Sequence, residues 1–321
     1  MKALVYEQYG TPNVLTVKEM PTPTIKDNQV LIKVQASGIN PVDTYFRKGI
    51  REVPSFPHIP HFDVAGTIIE VGDNVTSHSV GEHVWASNAK GASGEFVALD
   101  AEIAFPLTNS LSFADGAALS MPFLTAHLAL FFRGQLKSDE TVLIYGGSGA
   151  VGYAAIQLAK EIGAKVITTA GSAEKAQIAK AAGADHVILY KETTVAKKVL
   201  ELTEGAGVPL ILEMSLSDNM ETDFEIIQNG GRIITIGSPN DNTPPLLWRQ
   251  LNQKNAALLG LLLFTVPKDA YIAAGQQISK LFHDQKLLAL NHQIFSLEDA
   301  VIAHQAVEAK EINGRAILIH K

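Results

Sequence analysis

Read as apolar and polar positions alone, the chain changes character twice. Up to about residue 110 it consists of short β-branched runs, among them Val30–Gly38, Asp63–Gly72 and Glu82–Ser87. Glycine, proline and asparagine separate them, which is the pattern of strands and turns. From Phe113 to Phe132 the apolar residues fall at helical spacing, with an interruption at Pro122. Strands and helices then alternate: Thr141–Tyr145, a helix over Val151–Ile162, Lys165–Ala170, a helix over Ala173–Ala182, His186–Tyr190, a helix over Val195–Thr203, Pro209–Met214 and Gly231–Gly237. Such alternation predicts an α/β fold with a parallel sheet covered by helices on both faces. The apolar run Ala256–Val266 reads as a buried strand with a flanking turn. A helix through Leu288, a short strand, a helix over Leu297–Ala309 and a closing strand Arg315–His320 complete the pattern.

Composition narrows this further. The 321 residues are 46% hydrophobic and 18% charged, enough for two domains with separate cores. The net charge of −7 gives no general attraction to nucleic acid, and no basic stripe with interleaved aromatics is visible. The absence of cysteine excludes disulfides, thiolate nucleophiles, iron–sulfur clusters and thiolate zinc sites. The N-terminus alternates like a strand and lacks a signal-peptide core, and Ala256–Val266 is shorter than the ~20 residues a membrane helix needs. These features point to the cytoplasm, with no membrane contact.

The chemistry concentrates in Thr141–Gly152, "TVLIYGGSGAVG". Gly147, Gly149 and Gly152 match G-x-G-x-x-G directly after a predicted strand and at the opening of a helix. There the first glycine permits a tight turn, the second lets backbone approach a pyrophosphate, and the third lets helix and strand pack closely. The amides of Ala150, Val151 and Gly152 and the helix dipole then face the anion. The competing reading makes Ser148 the nucleophile of a strand-to-helix elbow. That elbow also needs an acid and a histidine at later strand ends, and none stands at a convincing position. Dinucleotide binding is the better reading.

An NAD site usually carries an acid ~20 residues on, at the end of the second strand. Here that position reads Ala170, Gly171, Ser172. Lys175 falls in the first turn of the next helix, where a cation opposes the dipole unless an anion sits beside it. Ser172, Lys175 and the helix N-terminus suit the 2′-phosphate of NADPH. The plainer alternative is a capping serine beside a solvated lysine.

The segments "GINPVDTYFRKG", "HIPHFDVAGTIIEVGDNV", "LTAHLAL", "YGGSGAVGYAAIQLAK", "TAGSAEK" and "ILEM…GGRIITIGS" stand in this order along the chain. Together they make it resemble the zinc-free quinone oxidoreductases of the zeta-crystallin type, within the medium-chain dehydrogenase/reductase superfamily. The resemblance implies a GroES-like β-rich catalytic domain (1–121 and 265–321) and a Rossmann doubly wound parallel-sheet domain (122–264) that binds NADPH. It places Asn40, Asp43 and Tyr45 at the catalytic cleft, with Tyr45 either hydrogen-bonding the acceptor or only shaping the pocket. It also implies cofactor contacts from Thr125, Tyr190, Ile236, Gly237, Ser238, Gly260, Leu261 and Leu262. Asn313 and Arg315 are further, weaker candidates in the C-terminal segment.

Zinc-dependent relatives have cysteine about where Asn40 stands and Gly-His-Glu where this chain has His61-Phe62-Asp63. With His58 nearby, these residues still supply too few donors for a metal site, and no metal is expected. His61 replaces a usual glycine, and three readings stand for it: narrowing the pocket, donating a proton at neutral pH, or simply bonding within its loop. Without a Lewis acid, easily reduced acceptors suit the site. The expected activity is NADPH-dependent quinone reduction, in one two-electron step or by single electrons. The alternatives are reduction of α,β-unsaturated aldehydes or ketones, and a non-catalytic NADPH-binding structural or RNA-binding role. The family implies a homodimer or tetramer through an edge strand, and the apolar "GLLLFTV" run suits such a cover.

Overall fold

The computed structural model describes residues 1–237 and 240–320. The chain forms two compact units. One comprises Met1–Met121, Gly275–Gln285 and the chain from Ala289 onward; the other comprises Pro122–Ala274 with Lys286–Leu288.

In the first unit β1 (Lys2–Val5) pairs antiparallel with β2 (Thr16–Glu19). The main sheet is organised by β3 (Gln29–Ile39), followed by α1 (Pro41–Arg47), β4 (Asp63–Val71), β5 (His83–Ala86), β6 (Phe96–Asp100) and β7 (Phe105–Pro106). On β3, Val30, Ile32 and Val34 alternate into a fully covered apolar cluster with Val64, Ile68 and Val84, as the two-residue strand period requires. One edge of β3 pairs with β4 along its length. The other is shared, with β6 on Gln29–Lys33 and the C-terminal strand on Ala36–Ile39.

Helix α2 (Phe113–His127) carries Pro122 inside it and runs on in π-type turns over Leu128–Arg133. The expected interruption at Pro122 is corrected: the helix is continuous, because packing outweighs the lost hydrogen bond. Most of the apolar Phe113–Arg133 stretch is buried in the protein, as in a core helix.

The second unit holds β8 (Thr141–Ile144), α3 (Ala150–Glu161), β9 (Lys165–Ala170), α4 (Ala173–Ala181), β10 (His186–Leu189), α5 (Val195–Leu202), β11 (Val208–Glu213), α6 (Leu216–Ile226), β12 (Ile227–Thr235), α7 (Trp248–Gln253) and β13 (Ala257–Gly260). The strands form one parallel sheet in the order β10-β9-β8-β11-β12-β13. The order reverses between β8 and β11, so the strand ends beside that point form the ligand-binding edge of a doubly wound sheet. β13 is a half-buried edge strand, not the buried strand its composition suggests, because among the described residues only β12 pairs with it.

Helix α8 (Lys268–His283) ends five residues earlier than the apolar spacing predicts, with Gln285 in the left-handed region at φ 56°. β14 (His292–Ser296), α9 (Ala300–Glu308) and β15 (Arg315–Ile319) follow. β15 inserts between β14 and β3 in the first unit's sheet. There Gly275 of α8 lies against the Phe105 ring, and a Cβ would stand 2.1 Å from Cζ. Gly275→Ala is therefore expected to destabilise the protein by about 1–3 kcal/mol through overpacking, read as a lower urea midpoint at unchanged slope.

Candidate functional site

The glycine loop after β8 has the local geometry of an anion cradle. Gly146, not Gly147, takes the left-handed conformation of the turn, at φ 66°. Gly147 is required for a different reason: a Cβ there would lie 2.3 Å from Thr168 Oγ1 on the neighbouring strand. At Gly152 a Cβ would stand 2.3 Å from the Gly146 carbonyl oxygen, so this glycine lets α3 approach the turn. Gly149 is the N-cap of α3, and the Tyr153 amide bonds to its carbonyl at 2.8 Å. The amides of Ala150, Val151 and Gly152 thus open the helix without intrahelical acceptors, the arrangement that holds a pyrophosphate. Ser148 lies inside this turn.

At the end of β9 the chain passes through Gly171 to Ser172, the N-cap of α4, whose Oγ accepts from the Lys175 amide at 3.3 Å. Capping uses an acceptor lone pair and leaves the hydroxyl proton free for an anion. Lys175 is exposed in the first turn beside Glu174. Tyr190 hangs over Gly171, where a Cβ would lie 2.7 Å from the phenol oxygen, so the glycine makes room for the ring. Ile236 and Gly237 follow β12, and Leu261 and Leu262 follow Gly260 at the end of β13. The ladder places Glu213, Thr235 and Gly260 side by side at these strand ends. Leu262 is exposed, Thr125 is buried in α2, and Ser238 lies outside the described residues. Arg133, which the sequence reading missed, donates from Nε to the Gly260 carbonyl at 3.1 Å.

In the first unit, Asn40 and Asp43 belong to a buried polar network. Asn40 caps α1, and its amide donates to Asp43 Oδ2 at 2.6 Å. Asn40 Nδ2 donates to Asp63 Oδ2 at 2.9 Å, Arg315 donates to both Asn40 Oδ1 and Asp63 Oδ2, and Ser87 Oγ donates to Asp63 Oδ1 at 2.7 Å. Burial pushes the Asp43 carboxyl up to about 8. Arg315, expected as a candidate near the cofactor, is only 4% exposed and committed to Asp63; Asn313 is exposed. Gly38 completes the network, since a Cβ there would lie 2.7 Å from the Arg315 guanidinium. Tyr45, one turn along α1, is half-buried.

The donor set does not suit zinc. Phe62 has no ligating atom, Asp63 already accepts from three side chains, and Asn40 Oδ1 accepts from Arg315. Among the described residues, no group of three or more histidine, aspartate or glutamate side chains converges as metal ligands.

Of the three readings of His61, the geometry bears most on the hydrogen-bonded one, with partners that lie outside its own loop. His61 is 1% exposed, with Nδ1 3.3 Å from Ser37 Oγ and Nε2 3.0 Å from His304 Nε2. Its φ of 72° explains why glycine suits this position. Burial, reinforced by His304, His320 and Arg315, holds its imidazole neutral, well below the ordinary range. His304 is pushed down to about 3 by burial and by Arg47, so both rings are neutral and a ring N–H of one faces the bare nitrogen of the other. Sequence reading had no means of finding His304, which lies 243 positions away.

Comparison with known proteins gives the following. Residues 150–280 match the zinc-binding dehydrogenase family and residues 26–109 the alcohol dehydrogenase GroES-like domain. The quinone oxidoreductase of Sus scrofa is 33% identical, over 99% of this chain and 98% of its own length. Quinone oxidoreductase 1 of Escherichia coli K12 is 30% identical over 98% of each chain. Among solved structures, the quinone oxidoreductase of Pseudomonas syringae pv. tomato superposes with a TM-score of 0.90 at 29% identity, covering 99% of both chains. The Escherichia coli quinone oxidoreductase complexed with NADPH gives 0.89 at 28% identity over the whole of both.

The histidine pair makes acid stability testable. In the unfolded chain His61 and His304 take up protons below about pH 6.5, whereas the folded pair resists protonation down to about 3 for His304. The unfolded state then binds more protons, so stability falls as pH drops through this window, by up to ~1.4 kcal/mol per pH unit for each histidine. Urea melts from pH 7 to 4 are expected to show this slope, and His304→Gln to flatten it.

Proposed function

Because the chain belongs to the quinone oxidoreductase family of the medium-chain dehydrogenase/reductases, we propose that it reduces quinones with NADPH, without a metal. The observation that carries this reading is the full-length relationship to quinone oxidoreductases, joined to a glycine cradle and a β9 end with no acid. When bound, NADPH supplies a hydride. With one proton from solvent or protein, the quinone becomes a hydroquinone and NADP⁺ is left.

The chain's own residues bind, orient and exclude water. The amides of Ala150–Gly152 hold the pyrophosphate through hydrogen bonds and the positive end of the α3 dipole. Ser172 Oγ and Lys175 Nζ hold the 2′-phosphate, and that anion offsets the unfavourable placing of a lysine in the first turn of α4. Tyr190 covers the adenosine end beside Gly171. Ile236, Gly237 and Gly260–Leu262 form the floor for the nicotinamide, and Thr125 reaches the phosphates. Asn40 and Asp43 act on α1: by fixing its N-terminus they fix Tyr45, which orients the acceptor. The half-buried edge strand β13 and exposed Leu262 suit a homodimer formed edge to edge. Light scattering tests that assembly.

Cofactor oxidation at 340 nm, with NADPH and NADH each offered a naphthoquinone, an ortho-quinone and an α,β-unsaturated aldehyde, tests the function. Quinone turnover with NADPH is expected; preference for the enal would move the protein to the double-bond reductases. Lys175→Ala is expected to raise the KM for NADPH about tenfold while leaving that for NADH unchanged, the loss of one charge-assisted hydrogen bond.

A further inference from the structure

A second buried polar cluster lies in the other unit, beneath the strand ends, and the reading above leaves it unused. Glu213 closes β11 with 0% exposure, and Asp223 on α6 is equally buried. Asn219 and Asp223 are four residues apart on α6 and therefore share one face of the helix. Asn219 Nδ2 donates to both Glu213 oxygens, at 3.0 and 3.2 Å, and the amides of Ser215 and Met214 donate to the same carboxylate. The Asp223 carboxyl neighbours Glu213 and the Tyr145 hydroxyl, and with Asp223 ionised neither of its oxygens, nor that hydroxyl, accepts or donates a hydrogen bond among the described residues. Among the described residues, the titratable groups facing this pair are each other and Tyr145. On α5, Ala196 and Val199 join the apolar cluster with Met220 and Phe224 of α6, and Lys198 pairs with Glu201. On β12, Arg232 pairs with Glu140. Two carboxyls held together without a cation cannot both ionise cheaply.

The surroundings of the pair give it a task. Tyr145 immediately precedes Gly146, where the glycine loop begins, and its amide donates to the Leu212 carbonyl at 3.2 Å. Glu213 pairs with Thr235 in the ladder, its carbonyl accepts from the Ile236 amide at 2.9 Å, and the Leu216 amide donates to the Gly237 carbonyl at 3.2 Å. The cluster is thus bonded to the turn after β11, abuts the segment after β12, and adjoins the start of the pyrophosphate loop.

We infer that Asp223 and Glu213 hold one proton between them, donated by Asp223 to Glu213, and act as positioning residues that fix the cofactor-facing turns after β8, β11 and β12. This rests on the NADPH-binding reading of those turns. Burial and the neighbouring Glu213 raise the Asp223 carboxyl well above its ordinary value, and burial keeps the Tyr145 hydroxyl protonated. Raising the pH removes the shared proton and leaves two repelling carboxylates under the turns. The folded state binds this proton more tightly than the unfolded state does, so its contribution to stability declines with rising pH.

The test is NADPH affinity by fluorescence titration between pH 6 and 9, beside thermal melts of the cofactor-free protein over the same range. Wild-type Kd and Tm are expected to worsen toward alkaline pH. Asp223→Asn, which keeps a donor but no titrating group, is expected to flatten both profiles and to hold Kd at pH 7 within about threefold. Asp223→Ala is expected to weaken NADPH about tenfold, the effect of roughly 1.4 kcal/mol. Glu213→Gln is the second variant and should likewise flatten the profile. Parallel profiles for wild type and Asp223→Asn, with binding intact, would overturn this inference alone. Failure of the wild type to bind NADPH at any pH would overturn the functional reading and the positioning role with it, while the melts still report whether the proton is shared.

Discussion

The buried contact between Arg315 and Asp63 is the constraint on which the first unit depends. It joins β15, near the end of the chain, to β4, and through Asn40 to the start of α1. Taking both charges out of water costs several kcal/mol per ion, and the cost is fully offset only when every remaining lone pair and proton finds a partner. Here Ser87 and Asn40 bond to the carboxylate and Gly38 leaves room for the guanidinium, whose Nε stays buried without a partner among the described residues. Removing either partner would strand the other as a buried charge. The pair therefore specifies which strand lies beside β3, and it sets the position of the helix that carries Tyr45.

The cofactor unit solves a different problem with the opposite means. Its binding edge is made of backbone, so the side chains must withdraw. Gly147 clears Thr168, Gly152 clears the Gly146 carbonyl, and Gly171 clears the Tyr190 ring. What remains is a row of helix-opening amides at the point where strand order reverses, a site for an anion that needs no charged residue. In the proposed reading, charge enters at Lys175, in the first turn of α4.

Both units bury pairs of ionisable groups that carry fewer charges than they would in water, by different routes. His61 and His304 stay neutral with one ring nitrogen facing the other, while the inferred arrangement of Asp223 and Glu213 places a single proton between two carboxyls. Protonation destabilises the first pair and deprotonation the second, so their contributions to stability run in opposite directions with pH. Neither pair is visible as a motif, because each is assembled from elements that meet only in the fold.

Much of this protein was legible in the linear chain because its signals are local. Period-two runs marked β3 and β4, alternation of strand and helix marked the parallel sheet, and glycine spacing after β8 marked the phosphate cradle. The missing acid after β9 was likewise a matter of reading along one short segment. The tertiary structure decided whatever depends on distant residues meeting. It committed Asn40 and Arg315 to Asp63, placed His61 in a buried pair with His304, and carried α2 through Pro122. It also shifted the left-handed turn from Gly147 to Gly146. The physical reason is the range of the forces: propensity and turn chemistry act over a few residues, whereas burial and charge pairing depend on what the fold brings into contact.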